Sequence, residues 1–531
     1  MVKSNARFFW PSDYKRLLLV TPYTKGDFDS DYDEWNGTEA IFFMHPVDMI
    51  PTLDYDSPEP ITSTSDSLPL CKRWLQACYD SHSKCRFTAV RELPTRLLCI
   101  KGNIPQLCLS AELGMRVRYA TLSHCWGSLQ FSTLTSNSSD IFRQAVPPQA
   151  LPKTFRDAIY IARYLGYFYI WIDSLCILQD DEDDWGRESA LMTGVYGGAD
   201  LNIAASSATD GSEGCFFDRK SNWRCQIPTQ CGAGGREALY DVVADKSLSP
   251  QAHYVPLHRR AWVTQERYLS RRTLHFFEQQ VFWECDGNPA CEVFPNGYPQ
   301  IDRSAFDMSK RPTSCALWPN IVFCYFLGQL TKSSDKLVAV SGLAKLVHAE
   351  TADEYIARMW RKGLEDQLCW TTLDDASRFT SYTAPTGSWA SLQGVVSYPD
   401  LIDNENPGRL CIRIHNVELT LTSADPFAGV QSGSLRVICD FLCPGLIACG
   451  GEAHINIKLD CSDLHPHTRR RIETYLLPIR LGSGPDHNTS AGLLLEPTGK
   501  KTRAISKIRV PSRLSLYGQI HGGMPTGKFL G

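Results

Sequence analysis

Between residues 119 and 206, apolar runs short enough to be buried strands alternate with segments of helical period, and this alternation limits the chain to few folds. YATLSHCW (119–126) reads as an apolar strand that stops at Gly127. LPKTFRDAIYIARYLG places apolar residues at 155, 158, 159, 161, 162 and 165, with Thr154 as N-cap and Gly166 as stop, and predicts a helix. FYIWIDSLCI has the apolar density of a strand covered on both faces. The acidic QDDEDD then leads into WGRESALMTGVYGGA, a second helix with its acids at the favourable end of the dipole, and DLNIAASSA is the third strand. Strand–helix–strand–helix–strand with short connections is the pattern of a doubly wound parallel sheet, whose crossover helices cover both faces.

The rest of the chain is organised around this block. At 531 residues it exceeds a single core, which stops growing near roughly 250–300 residues. Residues 1–65 read as an irregular segment with acidic and turn-forming runs, and 66–117 as a helix and strand leading into the α/β domain, placed at 118–300. Within the lead-in, LCKRWLQACYDSHSKC puts Trp74, Cys78, His82 and Cys85 on one helical face, and ELPTRLLCI is a short strand. HRRAWVTQERYLS reads as a helix, TLHFF and QVFWEC as two strands, and 301–400 as a helical region in which DEYIARMWRKGLEDQLCW carries a helical stripe. Beyond residue 401 the period changes to two, and six strands predict a β-rich C-terminal domain.

Composition excludes several function classes. Fifty-four Lys and Arg against 58 Asp and Glu leave a net charge of −4 without a basic block, so nucleic acid is not expected as a partner. No run approaches the ~18 apolar residues that span a bilayer, and the start MVKSNARFFW has no signal-peptide pattern. A soluble, cytoplasmic chain with its 20 cysteines as reduced thiols is expected.

In an open parallel sheet, ligands sit outside the carboxyl ends of the strands, which here carry Ser123, His124 and Trp126, then Asp173 and Ser174, then Ser206 and Ser207. Asp173, inside an apolar strand, is costly to bury alone; Arg260 and Arg267 are its candidate partners, and it serves either as a structural ion pair or capping acid or in a site. Gln265 and Glu266 either line the same pocket or pack the helix together with Arg267. Cys125 and Cys176 are poor nucleophiles, because neighbours on a strand face opposite ways and His124 cannot easily reach Cys125. Cys78, His82 and Cys85 invite a metal reading. A continuous helix would hold the two thiols about 10 Å apart, and nothing in the sequence brings Cys285 and Cys291 to them, so no metal is assigned.

Taken together, YATLSHCWG, LPKTFRDAIYIARYLG, YIWIDSLCILQDDEDDWGRESALMTGVYGGADLNIAA and RAWVTQERYLSRRTLHF resemble the fungal heterokaryon-incompatibility (HET) domain family, in the family's order. CKRWLQACYDSHSKC, WECDGNPACEVFP, LTKSSDKLVAVSGLA, EYIARMW and SWASLQG extend the likeness over most of residues 70–400. His124 stands where Tyr is common, and Ala261 where Gly is common. The resemblance implies a TIR/flavodoxin-like parallel sheet with helical flanks. It also implies a part in heterokaryon (vegetative) incompatibility, non-self recognition and regulated cell death in a filamentous ascomycete. The partner would be the product of an allelic or non-allelic incompatibility gene, and self-assembly is a feature of the distantly similar TIR domains. Some of those domains cleave NAD, which as a substrate rather than a cofactor would make Glu188 the catalytic carboxylate, or Glu266 with Trp126 as an aromatic wall. Trp185 precedes Glu188 by three positions where TIR domains use four, and a solvent-facing helical glutamate is the competing reading. Families of this kind occur in many copies per genome, so recruitment to a specialised-metabolite gene cluster is a further reading.

Overall fold

The computed structural model describes residues 16–20, 39–46, 63–86, 93–114, 117–218, 224–231, 236–244, 255–292, 294–297, 318–328, 336–372, 376–379, 382–398, 408–427, 429–440, 442–446, 456–459, 473–481, 491–498 and 501–509. The chain divides into two compact units, Met1–Arg311 and Pro312–Gly531.

The first unit is built on a mixed eight-stranded sheet. Its strands are β1 (Arg96–Cys99), β2 (Gln106–Leu109), β3 (Ala120–Ser123), β4 (Tyr169–Trp171), β5 (Leu201–Ala204), β6 (Arg272–Phe276), β7 (Val281–Cys285) and β8 (Ala290–Cys291). They hydrogen-bond in the order β8-β7-β6-β5-β3-β4-β1-β2. β4, β3, β5 and β6 form a parallel core, with β3 paired to β4 and β5, and β5 to β6. In chain order these four run 2-1-3-4, the start of the flavodoxin-like doubly wound arrangement, with its switch point between β3 and β5. Antiparallel pairs extend the sheet at both sides: β1 with β4 and β2, and β7 with β6 and β8. Every residue of β3 and β5 is buried, as a central parallel strand covered on both faces must be.

Helices α1 (Leu68–Ser81), α2 (Lys153–Tyr164), α3 (Asp173–Cys176), α4 (Glu182–Gly198) and α5 (Ala261–Leu269) accompany this sheet. α2 buries Phe155, Ala158, Ile159, Ile161 and Ala162 while Tyr160 faces solvent. Each large apolar side chain so buried contributes about 1.5–3 kcal/mol. Its N-cap is Pro152, not Thr154, whose hydroxyl instead donates to Asp210 O (3.3 Å) and accepts from Gly214 N (3.1 Å). At the start of α4, Asp181 caps by accepting from Asp183 N and Asp184 N, with Glu182, Asp183 and Asp184 in the first turn as expected. A separate four-stranded antiparallel sheet orders Arg16–Val20, Glu39–Pro46, Arg236–Ala244 and Arg224–Cys231, so two strands fall in the stretch read as irregular.

FYIWIDSLCI is not one strand. β4 ends at Trp171, and Asp173 opens the short helix α3. The segment 68–85 is likewise broken, because α1 ends at Ser81, His82 is extended (φ −91°, ψ 95°) and a 3-10 turn spans Ser83–Cys85.

In the second unit, helices Trp318–Leu327 and Lys336–Thr351 precede a hairpin in place of the helical stripe expected over DEYIARMWRKGLEDQLCW. Tyr355–Ile356 pairs with Met359–Trp360 through Ala357 (φ 46°) and Arg358 (φ 74°). Two non-glycine residues in the left-handed region cost about 1–2 kcal/mol each. Tertiary hydrogen bonds offset this: Trp318 and Trp389 Nε1 both donate to Arg358 O, Ser388 Oγ donates to Ala357 O, and Arg358 donates to Phe427 O. The β-rich end follows, with Ile412–Leu421 paired to Val430–Cys439, and Asn456–Leu459, Glu473–Leu481, Ala491–Thr498 and Lys501–Arg509 in a six-stranded sheet.

Candidate functional site

The carboxyl ends of β3 and β4 bring together residues from three stretches of sequence. β3 delivers His124, Cys125 and Trp126, and the chain then turns at Gly127, whose φ of +60° and whose approach to Asp210 exclude a side chain: a Cβ there would meet Asp210 Cβ at 2.3 Å. β4 delivers Asp173 and Ser174 at the head of α3. The third stretch is the start of α5, with Arg260 as N-cap and Glu266 one and a half turns on.

Asp173 is the hub. Its Oδ2 accepts from Trp126 Nε1 (2.9 Å) and lies 3.9 Å from the Arg260 guanidinium, while Oδ1 accepts from Ser174 N (2.7 Å) and lies 3.7 Å from His124 Nε2. Arg260 also donates to the His124 carbonyl. The expected alternative partner, Arg267, is engaged elsewhere: it binds Glu284 on β7 through both Nε and Nη2. The His124 ring stacks on Trp126 (6.4 Å) and meets the Phe155 ring edge-on (4.8 Å). Neither ring nitrogen of His124 has a hydrogen-bond partner, and the buried Ser174 Oγ and Glu266 Oε2 have none either.

Electrostatics follow from this burial. Burial pushes the Glu266 carboxyl above the ordinary range, against Arg260 and the Ser123 and Tyr196 hydroxyls, which favour its anion. Burial also lowers His124 from its ordinary 6.5 to about 4, with Asp173 opposing and Arg260 adding to the shift. At neutral pH the site thus holds an uncharged imidazole beside a guanidinium and two acidic groups. The thiol readings weaken further, because burial pushes Cys125 up to about 11 and raises Cys176 as well.

The His124 shift carries a signed consequence. Between pH 6.5 and about 4 the unfolded chain takes up a proton that the folded chain refuses, so stability falls as pH drops through that window. The loss is about 3 kcal/mol by pH 4, and none of it is present above pH 6.5. Glu266 acts in the opposite sense, since its raised pKa makes the folded state bind a proton first. Denaturant midpoints of wild type and His124→Phe, compared from pH 4 to 7, isolate the histidine: the variant should have the flatter acid limb, and equal slopes would refute this account.

Glu188 does not join this group. It is 2% exposed on α4, not solvent-facing, and its neighbours are Thr95, Arg96, Asp184 and Arg187. Gln265 donates to Thr193 Oγ1 on α4 (3.3 Å), a packing contact, although its Oε1 is buried without a partner. Ser123 bonds Asn202 on β5, which also contacts Thr121. At the end of β5, Ser206 faces His275, and Ser207 accepts from Glu278 N. Asn202 and Tyr196 are site neighbours absent from the sequence reading. The signal for Asn202 is a lone amide within the apolar run DLNIAA; Tyr196 has none, being one of two aromatic residues on its helix.

Fold and site together define a doubly wound α/β domain with a buried polar constellation at the carboxyl ends of its parallel strands. Residues 119–266 match the family model described as Heterokaryon incompatibility protein (HET), so this segment carries a domain of that kind. No curated protein and no solved structure matches the chain. Among the described residues no helix is long and apolar enough to cross a membrane.

Proposed function

We propose that this chain acts in heterokaryon (vegetative) incompatibility in the cytoplasm of a filamentous ascomycete, where recognition of a non-self gene product ends in regulated cell death. One observation carries the reading: the family match at 119–266 encloses every member of the constellation, from Ser123 through Asp173 to Glu266. In this reading the α/β domain is the effector, and the partner is an allelic or non-allelic incompatibility product.

The second reading, cleavage of NAD, needs a carboxylate to steady an oxocarbenium-like ribose and an aromatic wall for the nicotinamide. Asp173 beside Trp126, with Glu266 near, offers that set, whereas Glu188 is turned toward Thr95 and Arg96. One variant series tests both readings. Asp173→Asn keeps an acceptor for Trp126 but removes the charge that faces Arg260. Induced expression of the whole chain should collapse colony formation in a filamentous host, and Asp173→Asn at equal abundance should restore it. Unimpaired growth with the wild-type chain would sink the first reading. Nicotinamide release by purified wild type and its loss in Asp173→Asn would support the second; no release removes it.

A further inference from the structure

We propose that Cys78, His82, Cys85 and Cys285 are the four ligands of a structural zinc ion. Their ligand atoms all lie within 4.8 Å of one another, although the residues come from the last turn of α1, the 3-10 turn that follows it and the end of β7. Tetrahedral zinc with Zn–S near 2.3 Å and Zn–N near 2.0–2.1 Å requires ligand-to-ligand edges of about 3.5–3.8 Å. One edge already has that length, Cys285 Sγ to His82 Nδ1 at 3.4 Å, and the others need to draw in by at most about an ångström.

The backbone is arranged for this convergence. On a continuous helix Cys78 and Cys85 would lie about 10 Å apart, but α1 stops at Ser81 and the extended His82 followed by a tight turn brings Cys85 back toward Cys78. On the opposite side, the turn after Cys285 passes directly against the imidazole. A Cβ at Gly287 would meet His82 Cγ at 2.5 Å, so this approach admits only glycine.

The surroundings match a thiolate site. Arg272 Nε donates to Cys78 Sγ (3.1 Å) and Asn288 N–H to Cys285 Sγ (3.4 Å), while Arg272 Nη2 holds the Cys85 carbonyl at 2.7 Å. Three thiolates and a neutral imidazole around Zn²⁺ leave one net negative charge, and the buried Arg272 guanidinium is placed to balance it. Three thiolates and one imidazole form a soft, borderline donor set that selects zinc over oxygen-seeking cations. With all four positions supplied by the chain, the ion has no open coordination site and its role is structural. It would staple α1 to the end of β7, and α1 is also tied to the segment after β8, where Trp74 Nε1 donates to Pro295 O (2.7 Å).

The test uses the full chain purified under reducing conditions without chelator. Elemental analysis should find about one zinc per chain, and Cys285→Ser should reduce this at least about tenfold. Should that variant fail to fold, His82→Cys, which restores a four-thiolate set, should retain zinc while His82→Ala loses it. Cobalt(II) exchanged into the wild-type chain should give sulfur-to-metal charge-transfer bands and tetrahedral d–d bands, and X-ray absorption should resolve three sulfurs and one nitrogen. Metal-free folded protein, a disulfide among Cys78, Cys85 and Cys285, or a first shell dominated by oxygen would each overturn the proposal.

Discussion

Glu284→Ala is expected to destabilise the first unit by about 3–5 kcal/mol, read as a lowered midpoint in equilibrium denaturation. Glu284 is fully buried on β7 and accepts from Arg267 Nε and Nη2 at 2.6–3.1 Å and from His275 Nε2 at 2.9 Å. Its removal leaves a guanidinium with 14% exposure, and a fully buried imidazole, facing the space the carboxylate filled. An uncompensated buried charge, not the lost attraction, dominates the cost. Replacing Glu284 and Arg267 together with methionine should therefore cost much less than Glu284→Ala alone. The network also fixes α5 onto β6 and β7, so Glu284→Ala should displace Arg260 and Glu266 and abolish any activity of the constellation. A midpoint equivalent to less than about 1 kcal/mol of change would show that solvent or repacking replaces the carboxylate.

Asp184→Ala should have the second-largest effect, about 3 kcal/mol or more. The side chain is 3% exposed and forms a fork with Arg96 on β1, Oδ2 at 3.0 Å from Nη1 and Oδ1 at 2.5 Å from Nη2. Oδ2 also accepts from Leu178 N–H (2.9 Å), and Arg96 Nη1 reaches on to the Cys176 carbonyl (2.7 Å). One carboxylate thus joins β1, the end of α3 and the first turn of α4. Arg96→Lys cannot reproduce a planar two-pronged donor and should recover only part of the stability lost in Arg96→Ala. Equal stability of the Lys and wild-type chains would mean that charge alone, without geometry, holds these elements.

Where local pattern and tertiary structure agree, the reading transfers well. YATLSHCW and DLNIAASSA each contain a buried four-residue strand, TFRDAIYIARY is an amphipathic helix and QDDEDD caps the next one, because continuous burial, a 3.6-residue period and helix-end acids are recorded in neighbouring residues. The site is only half legible by that route. Topology places ligands at strand ends, which singles out Ser123, His124, Trp126, Asp173 and Ser174, but it does not say which charges face them. Arg260 and Arg267 are seven residues apart in one stretch; the fold sends the first to Asp173 and the second to Glu284. Glu188 has the helical address of an exposed acid, yet α4 packs with that side chain 2% exposed near Arg96. The hairpin at 355–360 overrides its helical stripe because three hydrogen bonds donated by distant residues, and one that Arg358 donates to the Phe427 carbonyl, hold two left-handed residues in place.

By itself the sequence determined the class of sheet, the order of its parallel strands in the chain and the HET-type motifs of residues 119–266, since these depend on periodicities and motifs that local residues carry. Only the tertiary structure decided which side chains meet: Asp173 with Trp126, His124 and Arg260, and Cys285 with Cys78, His82 and Cys85. The reason is physical. A strand or helix is specified by neighbours a few residues apart, whereas a site is closed by residues 47 to 203 positions apart, whose approach depends on where every intervening element stops and turns.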